Sequence, residues 1–105
     1  METLMTPDGR YLIVRGRLWR TINPHLDEQR KDKLVHALMD ARRAVKAAKA
    51  SADEEGLAAA RHAVNTAKVG LGERGPVWWN DGSPDFNRRM ISNTPYADWF
   101  KTVSA

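Results

Sequence analysis

The chain has 105 residues, of which 42% are apolar and 29% charged, with a net charge of +4 and no cysteine. This length suits one domain, and the composition is typical of globular rather than disordered proteins. The lack of cysteine excludes disulfides, thiolate nucleophiles and cysteine-ligated zinc. No signal-peptide pattern opens the chain, and no apolar run is long enough to span a bilayer. We therefore expect one cytoplasmic domain over residues 1–105, with no membrane partner.

The first segment, residues 3–21, has β-strand character. Thr6-Pro7-Asp8-Gly9 carries the residues of a tight turn, and Tyr11–Val14 has high strand propensity. Arg15-Gly16 then predicts a reversal into a β-hairpin, although the same residues could form one bent strand. In the predicted register the facing pairs are Ile13 with Leu18 and Leu12 with Trp19.

Two helices are predicted next, over about 24–50 and 52–71. Asn23-Pro24 or Asp27 begins the first, and Ser51-Ala52-Asp53-Glu54 resembles a capping box that begins the second. The apolar stripes of the two helices are displaced by two residues relative to a single continuous helix, so we expect a reversal near Ala50 and an antiparallel helical hairpin. The stripe positions are Leu34, Leu38, Ala41, Val45, Ala48 and Ala52 on the first helix, and Leu57, Ala60, Val64, Ala67 and Leu71 on the second.

The last segment, residues 73–105, is an aromatic zone. Ser83-Pro84 and Thr94-Pro95 each resemble a helix cap followed by a first-turn proline, which predicts two short helices over about 84–92 and 95–102. We expect this aromatic cluster to be mainly structural, with Trp99 and at least one of Trp78 and Trp79 buried. The whole pattern predicts an α+β fold that is mainly α.

Three motifs resemble a family of small uncharacterised bacterial proteins. They are Thr6-Pro7-Asp8-Gly9-Arg10, Arg15-Gly16-Arg17-Leu18-Trp19-Arg20 and Gly75-Pro76-Val77-Trp78-Trp79-Asn80-Asp81-Gly82. The resemblance covers most of the chain, and it implies no activity because none is established for that family.

No catalytic, metal-binding or cofactor-binding motif is recognisable. The three histidines are too far apart for helical metal ligands, which need a spacing of three or four residues. Asp81 and Asp85 are close enough in sequence to bind a cation or act as acid and base, but turns and helix starts also favour aspartate. We therefore expect a protein that is not an enzyme and holds no metal or cofactor.

The β segment carries the sharpest candidate for binding. Alternation along one strand places Tyr11, Ile13, Arg15, Arg17 and Trp19 on one face. Arginine beside aromatic residues suits single-stranded nucleic acid, but arginine stems also cover apolar surface or protect a sheet edge. The candidate binding residues are Arg10, Arg15, Arg17, Trp19, Arg20, Trp78 and Trp79.

Two functional hypotheses follow from these patterns. The first is a non-enzymatic protein-interaction module, with a protein partner or self-association through the helical hairpin. The second is a nucleic-acid-binding protein that uses the arginine-rich β segment, which the modest net charge makes less favoured.

Overall fold

The computed structural model describes residues 4–103 and has an α+β fold that is mainly α, as predicted. The elements are β1 (Leu4–Met5), β2 (Tyr11–Val14), β3 (Arg17–Arg20), α1 (Glu28–Ala50), α2 (Glu54–Leu71), a 3-10 turn (Ile91–Asn93) and α3 (Ala97–Val103). The chain divides into two compact units. The sheet unit combines Met1–Thr21 with Trp79–Ala105, and the helical unit is Ile22–Trp78. The single domain expected over residues 1–105 stays a prediction.

The sheet unit contains a three-stranded antiparallel sheet in the order β1-β2-β3. The predicted hairpin register is confirmed, since Ile13 pairs with Leu18 and Leu12 pairs with Trp19. Arg15 (φ 54°) and Gly16 (φ 78°) both have the positive φ that a type I′ turn requires. This turn joins two separate strands, so the segment is not one bent strand.

The two-residue turn corrects the predicted faces of the hairpin. Residues that pair directly across antiparallel strands have side chains on the same face. Tyr11, Ile13, Leu18 and Arg20 therefore share one face, and all four are buried. The prediction that Tyr11 and Ile13 share a face with Arg17 and Trp19 is wrong, because it continued the alternation of one strand through the turn.

The helices of the helical unit reverse where predicted, and the second of the two proposed caps, Asp27, begins the first helix. Asp27 is the N-cap of α1 and accepts a hydrogen bond from the Arg30 amide at 2.7 Å, so the helix begins at Glu28 rather than near 24. Ser51 closes α1 instead of opening α2, whose N-cap is Asp53. Between them lies Ala52, which adopts a left-handed conformation with φ 54°.

The backbone hydrogen bonds around Ala52 form a Schellman motif. The Asp53 amide donates to the Ala48 carbonyl at 2.9 Å, and the Ala52 amide donates to the Lys49 carbonyl at 3.3 Å. These two bonds satisfy carbonyls at the end of α1 that lack a helical partner. The break near Ala50 is therefore a defined reversal.

In the core of the helical unit, Leu38, Ala67 and Leu71 are buried together, and other partly buried apolar residues pack against them, namely Ile22, Leu26, Leu34, Val35 and Val64. The three buried residues of this cluster lie on the predicted apolar stripes, but Ile22, Leu26 and Val35, which pack against them, do not. Ala52, the last predicted position of the first stripe, is exposed. At the end of α2, Gly72 adopts a left-handed conformation with φ 88°, and the Asn23 amide donates to the Leu71 carbonyl at 2.8 Å. This bond ties the segment before α1 to the end of α2.

The aromatic zone corrects the predicted bounds of the short C-terminal helices. The first helical element is only the 3-10 turn Ile91–Asn93, not 84–92, and the second is α3. The residues before the turn lie along β3 instead, where the Leu18 amide donates to the Arg89 carbonyl and the Arg88 amide donates to the Leu18 carbonyl. Part of the backbone of this segment thus forms its hydrogen bonds with β3 instead of within a helix.

Tyr11 is the centre of the sheet unit's core. Its side chain is fully buried, and the rings of Trp79, Phe86 and Tyr96 surround it with centroids 5.7, 6.4 and 5.7 Å away. Its hydroxyl accepts a hydrogen bond from the Phe86 amide at 2.8 Å. The aromatic cluster is structural, as expected, but Trp99 is only half-buried rather than buried.

Candidate interaction face

The second face of the sheet is exposed and largely apolar. Cross-strand pairing aligns two rows of side chains on it, and we call the whole set the open face: Met5, Leu12 and Trp19 in one row, and Val14, Arg17 and Met90 in the other. Met5 is 49% exposed, Val14 47%, Trp19 40% and Met90 37%. An exposed cluster of this kind marks an interaction site more often than isolated apolar residues do.

Four arginines lie in or beside the strands that form the open face, near the β2–β3 turn. Arg15 lies in that turn, Arg17 lies on the face, and Arg88 and Arg89 lie in the segment bonded to β3. The Arg17 guanidinium donates to the Arg88 carbonyl at 2.5 Å, which holds its side chain toward this segment. Within residues 4–103, no carboxylate lies within ion-pair distance of these four side chains. Their charge is therefore available to an anionic group.

Arg10, by contrast, is held within the sheet unit. Its guanidinium donates to Asp81 at 2.5 Å and lies 4.7 Å from the centroid of the Trp79 ring. The hydrogen bond with Arg10 lowers the pKa of the Asp81 carboxyl to about 2. Arg10 thus links the β segment to the aromatic zone through an ion pair and a ring contact, and it is not part of the open face.

Asp8 is joined to the same part of the sheet unit by neutral hydroxyls. Tyr96 donates to it at 2.5 Å and Thr6 donates to it at 2.7 Å. Burial opposes ionisation of Asp8, but these hydrogen bonds outweigh it and lower its pKa. Burial and the bond to Asp8 also raise the pKa of Tyr96. Tyr96 therefore remains a protonated donor in neutral solution.

Arg20 is the candidate residue whose side chain is the most deeply buried. Its side chain is fully buried and forms an ion pair with Asp85 at 3.0 Å. Its backbone amide donates to the side chain of Asn87 at 3.0 Å. A buried guanidinium paired in this way is a structural element, because a bound partner has no access to it.

The two adjacent tryptophans belong to different units. Trp79 is buried in the sheet unit, and its indole donates to the Ser83 carbonyl at 2.8 Å. Trp78 is half-buried in the helical unit, where its ring contacts that of His25 with centroids 6.3 Å apart. Of the seven candidate residues, the structure thus brings Arg15, Arg17 and Trp19 together. Sequence reasoning missed Arg88, Arg89 and Met90, whose place beside β3 depends on long-range backbone bonds.

Asp81 and Asp85 each accept from an arginine, so both carboxylates are engaged in ion pairs. Over residues 4–103, no group of three or more His, Asp or Glu side chains is arranged to hold a metal ion. In the same range, no helix has the length and apolar character needed to cross a membrane.

Comparisons of the chain with protein-family models, curated proteins and solved structures find no match. The resemblance to small uncharacterised bacterial proteins stays a prediction.

Proposed function

We propose that this chain is a small non-enzymatic protein-interaction module whose open face binds a partner protein. The observation that carries the proposal is the exposure of Trp19 in a row with Met5 and Leu12, beside Val14 and Met90. Tryptophan and arginine are prominent among the energetically important residues of protein interfaces, and methionine adapts to irregular partner surfaces. The open face combines these three residue types.

The charge around the open face indicates the kind of partner. Arg17 lies on this face and Arg15 lies in the adjoining turn, and within residues 4–103 no carboxylate lies within ion-pair distance of either side chain. A second copy of the chain would offer the same positive charge instead of a complementary negative one. We therefore propose a different protein, whose contact segment has apolar side chains flanked by acidic residues.

The test compares two equally exposed positions. A photo-crosslinking amino acid replaces Val14 on the open face or, as the matched control, Met39 on α1, each of which is 47% exposed. In the native host, we expect position 14 but not position 39 to crosslink one protein. With that protein purified, Trp19→Ala should weaken binding at least about tenfold, because loss of a hot-spot aromatic residue costs roughly 2 kcal/mol or more.

Three results would contradict this proposal. Equal crosslinking from both positions would show that the open face is not selective. Adducts made only of a second copy of the chain would replace it with self-association. Adducts of RNA or DNA would replace it with the second candidate function.

That second candidate is nucleic-acid binding, and the observation in its favour is the position of Trp19 beside Arg17 on β3. An aromatic residue next to arginines without carboxylate partners suits stacking on a base with contacts to phosphates. Because each phosphate contact on a single strand contributes about −0.7 to the slope of log affinity against log salt, Arg15→Ala with Arg17→Ala should reduce that slope by about 1.4. Binding of oligothymidylate that the double variant leaves unchanged would exclude these arginines.

A further inference from the structure

Three arginines of the helical unit converge on an open cleft of about 420 Å³. Arg42 extends from α1, Arg61 from α2, and Arg74 follows the end of α2. Val45 and Val64 also line the cleft, so its wall has apolar as well as charged side chains. These residues are distant in sequence and meet only because α1 and α2 pack side by side.

The charge of the three guanidinium groups is not neutralised by the part of the chain that the structure describes. Within residues 4–103, no carboxylate lies within ion-pair distance of Arg42, Arg61 or Arg74. Arg43, the neighbour of Arg42, does form an ion pair with Asp40. Like charges that share one cleft repel each other, and an anion bound between them would relieve that repulsion.

A second observation concerns Arg74. Its guanidinium donates to the Asn65 side chain at 3.3 Å, so a hydrogen bond links it to the surface of α2. A side chain held this way loses less conformational freedom when it binds a ligand. The cleft therefore has one positioned arginine and two that approach from the facing helices.

We infer that this cleft binds a phosphate monoester that carries a compact apolar group. A phosphate monoester has about two negative charges at neutral pH and three oxygens that accept from arginine forks. Three arginines match that charge and those acceptors better than they match a single carboxylate. The valines provide the apolar contact that inorganic phosphate cannot use, and the cleft has the size of a small-molecule site.

The experiment is an NMR titration of the full chain with phenyl phosphate, in parallel with inorganic phosphate. We expect amide shifts to concentrate on residues 42–45, 61–65 and 74, and phenyl phosphate to bind several-fold more tightly than inorganic phosphate. Arg42→Gln and Arg61→Gln should each weaken phenyl phosphate about tenfold, because each removes a charge-assisted hydrogen bond. Arg30→Gln, which removes the same charge from an exposed position of α1 outside the cleft, should change affinity less than about twofold.

Thermal unfolding of each variant establishes that it folds, and the exposed positions of Arg42 and Arg61 make this expected. An equal loss of affinity in Arg30→Gln would overturn the inference, because attraction would then follow net charge alone. Equal affinity for phenyl and inorganic phosphate would overturn the role of the valines. The absence of shifts at the cleft would overturn the site itself.

Discussion

Ala52 is the clearest place to test the reversal between the two long helices. The residue sits in a left-handed conformation with φ 54°, at the Schellman position that usually holds glycine. Its side chain is exposed, so removal of the methyl group sacrifices little packing. We therefore expect Ala52→Gly to stabilise the protein.

The size of the effect follows from two opposing terms. A left-handed conformation costs a non-glycine residue roughly 1–2 kcal/mol. Glycine in turn loses about 0.5–1 kcal/mol more conformational entropy on folding than alanine does. The difference is a gain of about 0.5–1 kcal/mol in the free energy of unfolding, which corresponds to a rise of roughly 2–8 °C in Tm for a domain of this size.

Thermal and urea unfolding followed by circular dichroism measure this gain. Ala44→Gly is the matched control, because Ala44 is also exposed but lies inside α1, where glycine should destabilise by about 1 kcal/mol. The two substitutions make the same chemical change and should have opposite signs. If both destabilise equally, residue 52 is helical, and the two helices are one.

Two further outcomes are expected. Tyr11→Phe should lower the free energy of unfolding by about 1–3 kcal/mol, since it removes the hydroxyl that accepts from the Phe86 amide, and urea unfolding should detect the loss. Asp81 has a pKa of about 2 in the folded protein, below its ordinary 3.8, so its contribution to stability is present above pH 4 and disappears as the pH falls toward 2. Asp81→Asn should therefore flatten the dependence of Tm on pH in that window, and an unchanged slope would mean that the Arg10–Asp81 bond adds nothing.

The parts of the fold that local chemistry controls could be predicted from the sequence. The hairpin register followed from the strand propensity of Tyr11–Val14 and the turn at Arg15-Gly16, and the helical reversal followed from the shift between the apolar stripes. Residues 84–92 could not be predicted in this way. Their cap-like sequence favours a helix locally, but bonds to Leu18 of β3 offer this backbone a partner that is distant in sequence.

The candidate site likewise combines features that the local sequence predicts with features that depend on contacts distant in sequence. Trp19 was recognisable as a candidate binding residue from its type, and the predicted register gave its cross-strand partner Leu12. Its other neighbours on the face were not recognised, because faces depend on the two-residue turn that pairs Val14 with Arg17. Arg10 and Arg20 were indistinguishable from the other arginines in the sequence. They are no longer candidate binding residues because they are paired with Asp81 and Asp85, which are 71 and 65 positions away in the sequence.

The division of the sheet unit into two chain segments has a consequence for the order of folding. Its halves, residues 4–21 and 79–103, are separated by the whole helical unit, so the Tyr11 cluster cannot form until nearly the entire chain has been synthesised. The helical unit depends mainly on contacts between neighbouring helices, which form quickly. Once it folds, the bond between the Asn23 amide and the Leu71 carbonyl brings its entry and exit points together. The effective loop between the first and last segments is then much shorter than their separation in sequence. Folding of the helical unit therefore lowers the entropy cost of joining these two segments.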